Sequence, residues 1–123
     1  MADFVYFNIN PNNQKKSDCV TRAISLATNL PYHIIRKKLF FTAKLLDCEK
    51  LCMTCYKHLI EDVFKYCRVD CDNMTVGEFA DLNPKGIYLA RMHQHISVII
   101  DNSIYDIWDC RNEFLTDVWK VKE

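Results

Sequence analysis

The sequence predicts a single α+β domain, in which N-terminal helices pack on a small C-terminal antiparallel sheet. The chain has 123 residues, a length typical of one compact domain. Apolar residues recur at helical spacing over roughly the first two thirds of the chain. After Gly86 they recur with a period of two, which indicates strands. Residues 1–123 are therefore interpreted as one domain.

Composition and charge restrict the classes of function. Half of the residues are hydrophobic and two are glycine, as expected for a packed globule. Sixteen lysines and arginines match sixteen acids, so no specific nucleic-acid partner is expected. The N-terminus carries Asp3 where a signal peptide needs cations, and no apolar run reaches the roughly 20 residues that span a bilayer. We expect a cytosolic protein without a membrane partner.

The first helix carries a cysteine in its first turn. A short strand is expected over residues 4–9, followed by a polar loop over 10–16. Ser17 or Asp18 can cap the helix that follows, which continues at helical spacing until Pro31. Cys19 therefore lies at the start of this helix.

Three further helices are predicted before the sheet. The second runs from Pro31 or Tyr32 to about Leu46, and the third covers roughly residues 51–66. The segment 75–78 has the capping-box spacing of a short fourth helix, which the turn at 83–86 ends.

The predicted strands follow Gly86. The first two cover the apolar positions in 87–89 and 96–100, a turn at 101–103 follows, and a strand returns over 104–109. Residues 118–121 are expected to form an edge strand.

Cys19 is the best candidate for a nucleophile. Unpaired backbone amides and the helix dipole at a helix N-terminus stabilise a thiolate. Asn13 and Gln14 lie five or six residues upstream, where a side-chain amide could join the Cys19 amide in holding an oxyanion.

The predicted hairpin brings a base and a carboxylate together. A two-residue turn at Asp101 and Asn102 pairs 100 with 103, 98 with 105 and 96 with 107. His95 and Asp106 then share one face of the sheet, whereas a three-residue loop would put Asp109 in the place of Asp106. His93 is the second candidate for the base.

Five segments carry a resemblance to small phage and prophage proteins with a papain-like cysteine peptidase fold. They are residues 10–11, 18–24, 83–88, 95–101 and 105–110. The resemblance implies a minimal papain-like domain with Cys19 as nucleophile, His95 as general base and acid, and Asp106 as the residue that orients it, and it brings no known substrate with it. We expect a thiol hydrolase or peptidase-like protein that acts on a peptide or related amide of a peptide or host protein, with no cofactor and with the host cytosol as location.

The main alternative is a non-catalytic binding protein on the same fold. It would block a host immune protein or sequester a small nucleotide signal, with Trp108 and Arg111 as contacts in the pocket; the same two residues are candidates for a substrate groove. Arg22 is interpreted as a surface ion pair. Exposed strand edges are compatible with a homodimer.

Seven cysteines form an odd set, expected to be reduced thiols in the cytosol. Five of them, with His58 nearby, leave a structural zinc site as a further alternative, although the helical pattern between them argues against it and no metal is predicted. The five are Cys48, Cys52, Cys55, Cys67 and Cys71.

Overall fold

The computed structural model describes residues 1–11, 18–49 and 52–122. Its helices are α1 (Cys19–Thr28), α2 (Tyr32–Leu46), α3 (Met53–His58) and α4 (Val76–Leu82), with a π-helical turn, Leu59–Val63, continuing α3. Its strands are β1 (Asp3–Tyr6), β2 (Cys67–Val69), β3 (Ile87–Met92), β4 (His95–Ile100), β5 (Ser103–Asp106) and β6 (Leu115–Lys122). The prediction of an α+β chain is confirmed. No helix among these residues is long and apolar enough to cross a membrane.

The strands form a mixed sheet rather than a C-terminal antiparallel one. Within the described residues it has six strands in the order β1-β5-β4-β3-β6-β2. β1 joins it at one edge and runs parallel to β5, while the other pairs are antiparallel. The prediction of a purely antiparallel sheet is wrong because the N-terminal strand pairs with a segment about one hundred residues away, which no local pattern reveals.

The last strand was also misplaced by the sequence pattern. β6 lies between β3 and β2 and is not an edge strand. Val118 and Trp119 on it are fully buried, since both faces of an internal strand are covered. The strand at this edge of the sheet is instead β2, which the sequence did not predict because three residues are too few to show an alternating pattern.

Both faces of the sheet are buried. The helical layer of α1, α2 and α3 covers one face, and its core includes Ile24, Ile35, Leu39, Leu59, Leu89, Ile96, Val98 and Trp119. On the opposite face, α4 and the connecting segments enclose Val76, Phe79, Tyr88, Ala90, Met92, Ile99, Ile104 and Val118. This two-sided burial explains why β4 has four successive buried residues, 96–99, instead of a strict alternation.

The predicted turn between β4 and β5 is confirmed. Asp101 and Asn102 both have positive φ, 46° and 67°, as a two-residue hairpin turn requires. The register pairs Ile100 with Ser103 and Val98 with Tyr105, as predicted. The β4–β5 ladder ends there, so the predicted pairing of residues 96 and 107 does not form.

The helix predictions hold to different degrees. Thr75 and Glu78 form the expected capping box at the start of α4, and α2 has the predicted bounds. The predicted helix over 51–66 is an α-helix only to His58 and then widens into the π-helical turn. Apolar spacing near four residues does not distinguish these two helix types.

Candidate active site

The thiol of Cys19 lies at the first residue of α1, against the start of β4. Asp18 occupies the N-cap position, but its side chain makes no capping hydrogen bond. Its Oδ1 instead accepts from Arg22 Nε at 2.7 Å. Helix α1 packs directly on β4, so the Cys19 thiol lies near the ring of His95 and the backbone N–H of Ile96, and both lower the pKa of the thiol.

His95 connects this thiol to a buried carboxylate. Its Nε2 lies 2.6 Å from Asp106 Oδ2, which leaves Nδ1 as the ring nitrogen for Cys19. His95 is the first residue of β4 and Asp106 the last of β5, so both side chains lie at the same end of the hairpin. Cys19, His95 and Asp106 thus meet at one site, with His95 hydrogen-bonded to Asp106 and next to Cys19.

The surroundings of the pair favour the charged forms of both groups. Burial by itself raises the pKa of Cys19, but the neighbouring His95 and the Ile96 amide outweigh it, and the pKa is lowered. Burial by itself lowers the pKa of His95, but Asp106 and Cys19 raise it to about 9. Both shifts favour a thiolate beside an imidazolium.

Asp106 is held as an ionised, fully hydrogen-bonded carboxylate. It is 3% exposed, and burial alone would raise its pKa, but the bond with His95 lowers it. Its Oδ1 accepts from Arg22 at 3.0 Å and from the backbone N–H of Ile107 at 2.7 Å. Asp109, the alternative carboxylate for His95, does not take this position, because it forms an ion pair with Arg111.

Arg22 is buried, which corrects the prediction of a surface ion pair. It is 5% exposed and bridges Asp18 and Asp106. Asp18 Oδ2 also accepts from the Tyr32 hydroxyl at 2.5 Å and from Asn10 Nδ2 at 3.0 Å. The i,i+4 spacing of Asp18 and Arg22 was a visible signal of their pairing, but the contact with Asp106 needed the tertiary structure.

The two candidates for the groove have different locations. Trp108 is 45% exposed and presents its ring edge-to-face to His95, with centroids 5.0 Å apart and an interplanar angle of 81°. Arg111 pairs with Asp109, donates to the Ala2 carbonyl and lines another cavity, beside Gly77 and Glu78. The structure therefore places Trp108 at the imidazole and Arg111 elsewhere.

A gap too small for a water molecule borders Cys19. Its lining includes both apolar and polar side chains: Phe7, Arg22, Ala23, Leu26, Ile96, Ser97, Tyr105 and Asp106. The predicted oxyanion residues Asn13 and Gln14, like Ser17, lie outside the described residues.

His93, the second candidate for the base, does not lie on a strand. It forms the β3–β4 turn with Gln94, whose φ is 59°, and its side chain is exposed. Strand alternation was the wrong basis for placing it, since β4 begins only at His95.

The five cysteines considered for zinc do not come together as one group. Cys48, Cys52 and Cys55 lie at the core under the helical layer, Cys71 belongs to the core on the opposite face of the sheet, and Cys67 is exposed on β2. The spacing of the cysteines along the sequence did not show that the sheet lies between Cys55 and Cys71.

Within the described part of the chain, one group of three potential ligands has all its atoms within 4.8 Å: His95, Asp106 and Cys110. Burial raises the pKa of Cys110 to about 12, so its thiol stays protonated, and Arg22 already holds a positive charge against Asp106. Both features oppose a cation at this position.

Comparisons with protein-family models, with curated proteins and with solved structures found no match. The function of the site is accordingly argued from its own geometry.

Proposed function

We propose that the chain is a papain-like thiol hydrolase of phage type that cleaves a peptide, isopeptide or related amide bond. The observation that carries the proposal is the position of Cys19 next to His95, whose Nε2 lies 2.6 Å from Asp106 Oδ2. This order of nucleophile, base and orienting carboxylate is the one that acyl transfer to a thiol requires.

In the proposed reaction the Cys19 thiolate attacks the carbonyl carbon of the scissile amide. The backbone N–H of Cys19, in the first turn of α1, is the donor that we assign to the resulting oxyanion. The His95 imidazolium gives its proton to the nitrogen of the leaving amine, the carbon–nitrogen bond breaks, and a thioester on Cys19 remains. Neutral His95 then takes a proton from water, whose oxygen attacks the thioester, and the product acid leaves as Cys19 is restored.

The surface next to the triad, rather than a pocket, is where a substrate can lie. The gap beside Cys19 is too small to hold a water molecule, so it supplies no pocket for a substrate group. Trp108 borders His95 and stays half-exposed, so a substrate chain can lie against its ring. A nucleophile of this kind needs a reduced thiol, which is why we propose the cytosol as its place of action.

The first test is the rate at which Cys19 reacts with iodoacetamide in the intact protein at pH 6, followed by peptide mass spectrometry. Cys67 is the internal control, because it is an exposed thiol on β2. We expect Cys19 to react at least about tenfold faster than Cys67, since each unit by which a thiol pKa is lowered gives about tenfold more thiolate at this pH.

Two results then decide between hydrolase and binding protein. His95→Ala should remove the fast reaction of Cys19, and hydrolysis of fluorogenic peptide and isopeptide amides should be lost in Cys19→Ala. A slow Cys19 that is indifferent to His95→Ala would refute the hydrolase and leave a binding protein on this fold.

A further inference from the structure

Helix α2 carries an exposed surface that is both apolar and basic. Its buried side, which includes Ile35 and Leu39, belongs to the core of the helical layer. On the other side of the helix, Phe40, Phe41 and Leu45 are 51%, 78% and 75% exposed, and exposed cations lie among them. We name this exposed set the α2 surface, and it consists of His33, Arg36, Lys37, Phe40, Phe41, Lys44 and Leu45.

The side chains of the α2 surface form two rows with a groove between them. Residues four positions apart lie in one row along a helix. Arg36, Phe40 and Lys44 therefore form one row, and the remaining four members form the other. A cavity of about 540 Å³ is lined by residues of both rows. A groove between such rows is the place where a second helix inserts a row of its own side chains.

All charges of the α2 surface are positive. The sequence of α2 contains no aspartate or glutamate, and the acids that come next in the chain, Asp47 and Glu49, follow its last residue. Among the described residues, Arg36, Lys37 and Lys44 form no ion pair with a carboxylate. The surface is therefore complementary to a partner that presents carboxylates next to apolar side chains.

The arrangement of the α2 surface disfavours two other occupants. A bilayer takes up an apolar face that is separate from the cations of an amphipathic helix, whereas Phe40 lies between Arg36 and Lys44 in one row, and the Lys44 Nζ lies 5.0 Å from the centroid of the Phe40 ring. A second copy of the same surface would bring cations against cations in a symmetric contact. An acidic partner is favoured over both.

We propose that the α2 surface binds an acidic, amphipathic α-helix of a partner protein. Apolar side chains of that helix lie in the groove and against Phe40 and Phe41, and its carboxylates pair with Arg36, Lys37 and Lys44. The triad meets where α1 contacts β4, and it shares no residue with the α2 surface. The proposal therefore does not rest on the proposed hydrolase.

The first experiment selects peptide ligands on the intact protein. A displayed library of random peptides of about 16 residues, roughly four turns of helix, is depleted on a Phe41→Ser/Leu45→Ser variant and then enriched on the wild type. We expect the enriched peptides to be rich in aspartate and glutamate, with apolar residues three and four positions apart. Enriched peptides without an excess of acids, or no peptide that survives the depletion, would overturn the proposal.

Point variants then test one enriched peptide by fluorescence anisotropy. Lys37→Glu and Phe41→Ser should each weaken its binding by at least about tenfold, and added salt should also weaken it. Leu82→Ser and Lys85→Glu are the matched controls, because both residues are exposed at the end of α4 and in the turn after it, and each should change the affinity by less than about twofold. Equal losses in the α2 and α4 variants would overturn the proposal. Urea denaturation checks that each variant is folded, and either α2 variant decides without the other.

The other occupants give distinct results. Flotation with vesicles of an equal mixture of phosphatidylcholine and phosphatidylserine tests the bilayer, and light scattering tests the second copy. Vesicle binding that is lost in Phe41→Ser, or a dimer that Phe41→Ser dissociates, would assign the α2 surface to lipid or to self-association and overturn the proposal. We expect no vesicle binding and no oligomer that depends on Phe41.

Discussion

Two buried aspartates occupy different regions of the sheet, and only one of them belongs to a candidate active site. Asp106 on β5 and Asp117 on β6 are 3% and 4% exposed, and each is paired with arginine. Asp106 binds Arg22 at 3.0 Å, and Asp117 binds Arg91 at 2.9 Å and also Arg68. By burial and charge alone they would be equivalent.

The difference lies in the remaining partners of each carboxylate. Asp117 accepts from two guanidinium groups, which stay protonated at every relevant pH, and from the Thr116 hydroxyl. Arg91 is held further by Tyr56 and Thr116. Asp106 also holds His95, a group that can gain or lose a proton and that contacts the Cys19 thiol. A buried ion pair supports chemistry only when one of its members can exchange a proton with a reacting group.

Replacing each carboxylate by its amide should give the largest difference in reaction rate between the two regions. Asp106→Asn removes the charge that keeps His95 protonated, so we expect hydrolysis to fall by about 10²- to 10⁴-fold and Cys19 alkylation at pH 6 to fall by about tenfold or more. Asp117→Asn should leave both rates within about twofold and instead lower the free energy of unfolding by about 1–3 kcal/mol. Asp109→Asn is the surface control, and equal rate losses at residues 106 and 117 would contradict the distinction.

Replacing the arginines should change the free energy of unfolding, and by more at Arg22 than at Arg91. Arg22→Gln leaves the buried carboxylates of Asp18 and Asp106 without their cation, so we expect the free energy of unfolding to fall by about 3–5 kcal/mol. Arg91→Gln should cost about 1 kcal/mol, because Arg91 is partly exposed and Asp117 keeps Arg68. Urea denaturation measures both values, and a loss at Arg91 as large as that at Arg22 would count against the central position of Arg22.

Only the Asp106 region should give a histidine-dependent effect of pH on stability. The partners of His95 raise its pKa, so its contribution is fully present below the unfolded pKa of about 6.5 and is lost as the pH rises through the higher folded value. We compare Cys19→Ala with Cys19→Ala/His95→Gln, because removing the thiol isolates the bond between His95 and Asp106. The stability difference should be larger at pH 6 than at pH 10.

The exposed turn residue His93 provides the control for this measurement. In the same Cys19→Ala background, His93→Gln should leave the stability nearly unchanged at every pH. A difference for His95→Gln that stays constant or grows towards pH 10 would show that Asp106 does not stabilise the imidazolium.

The smallest effect is expected at the aromatic neighbour of His95. An edge-to-face contact contributes about 0.5–1.5 kcal/mol, so Trp108→Ala should lower kcat/KM by about two- to tenfold. Phe114 is also an exposed aromatic residue, and Phe114→Ala is the matched control with no expected change in rate. A Trp108 variant with unchanged kcat/KM would remove this residue from the substrate groove.

Features that depend on neighbouring residues were correctly predicted from local patterns. The turn at Asp101 and Asn102, the capping box of Thr75 and Glu78, and the bounds of α2 agree with their local patterns. These features form through contacts between residues a few positions apart, whose steric and hydrogen-bonding requirements are visible in the sequence. Because the hairpin register followed from the turn, the sequence also placed His95 and Asp106 at neighbouring positions.

Relations between distant segments became visible only in the folded molecule. There β1 runs parallel to β5, β6 lies inside the sheet, and Arg22 lies in the interior between Asp18 and Asp106. A layer of sheet also separates Cys71 from Cys55. Such pairings depend on which surfaces the whole chain can bury together, and the free energy of that burial belongs to no single segment of sequence.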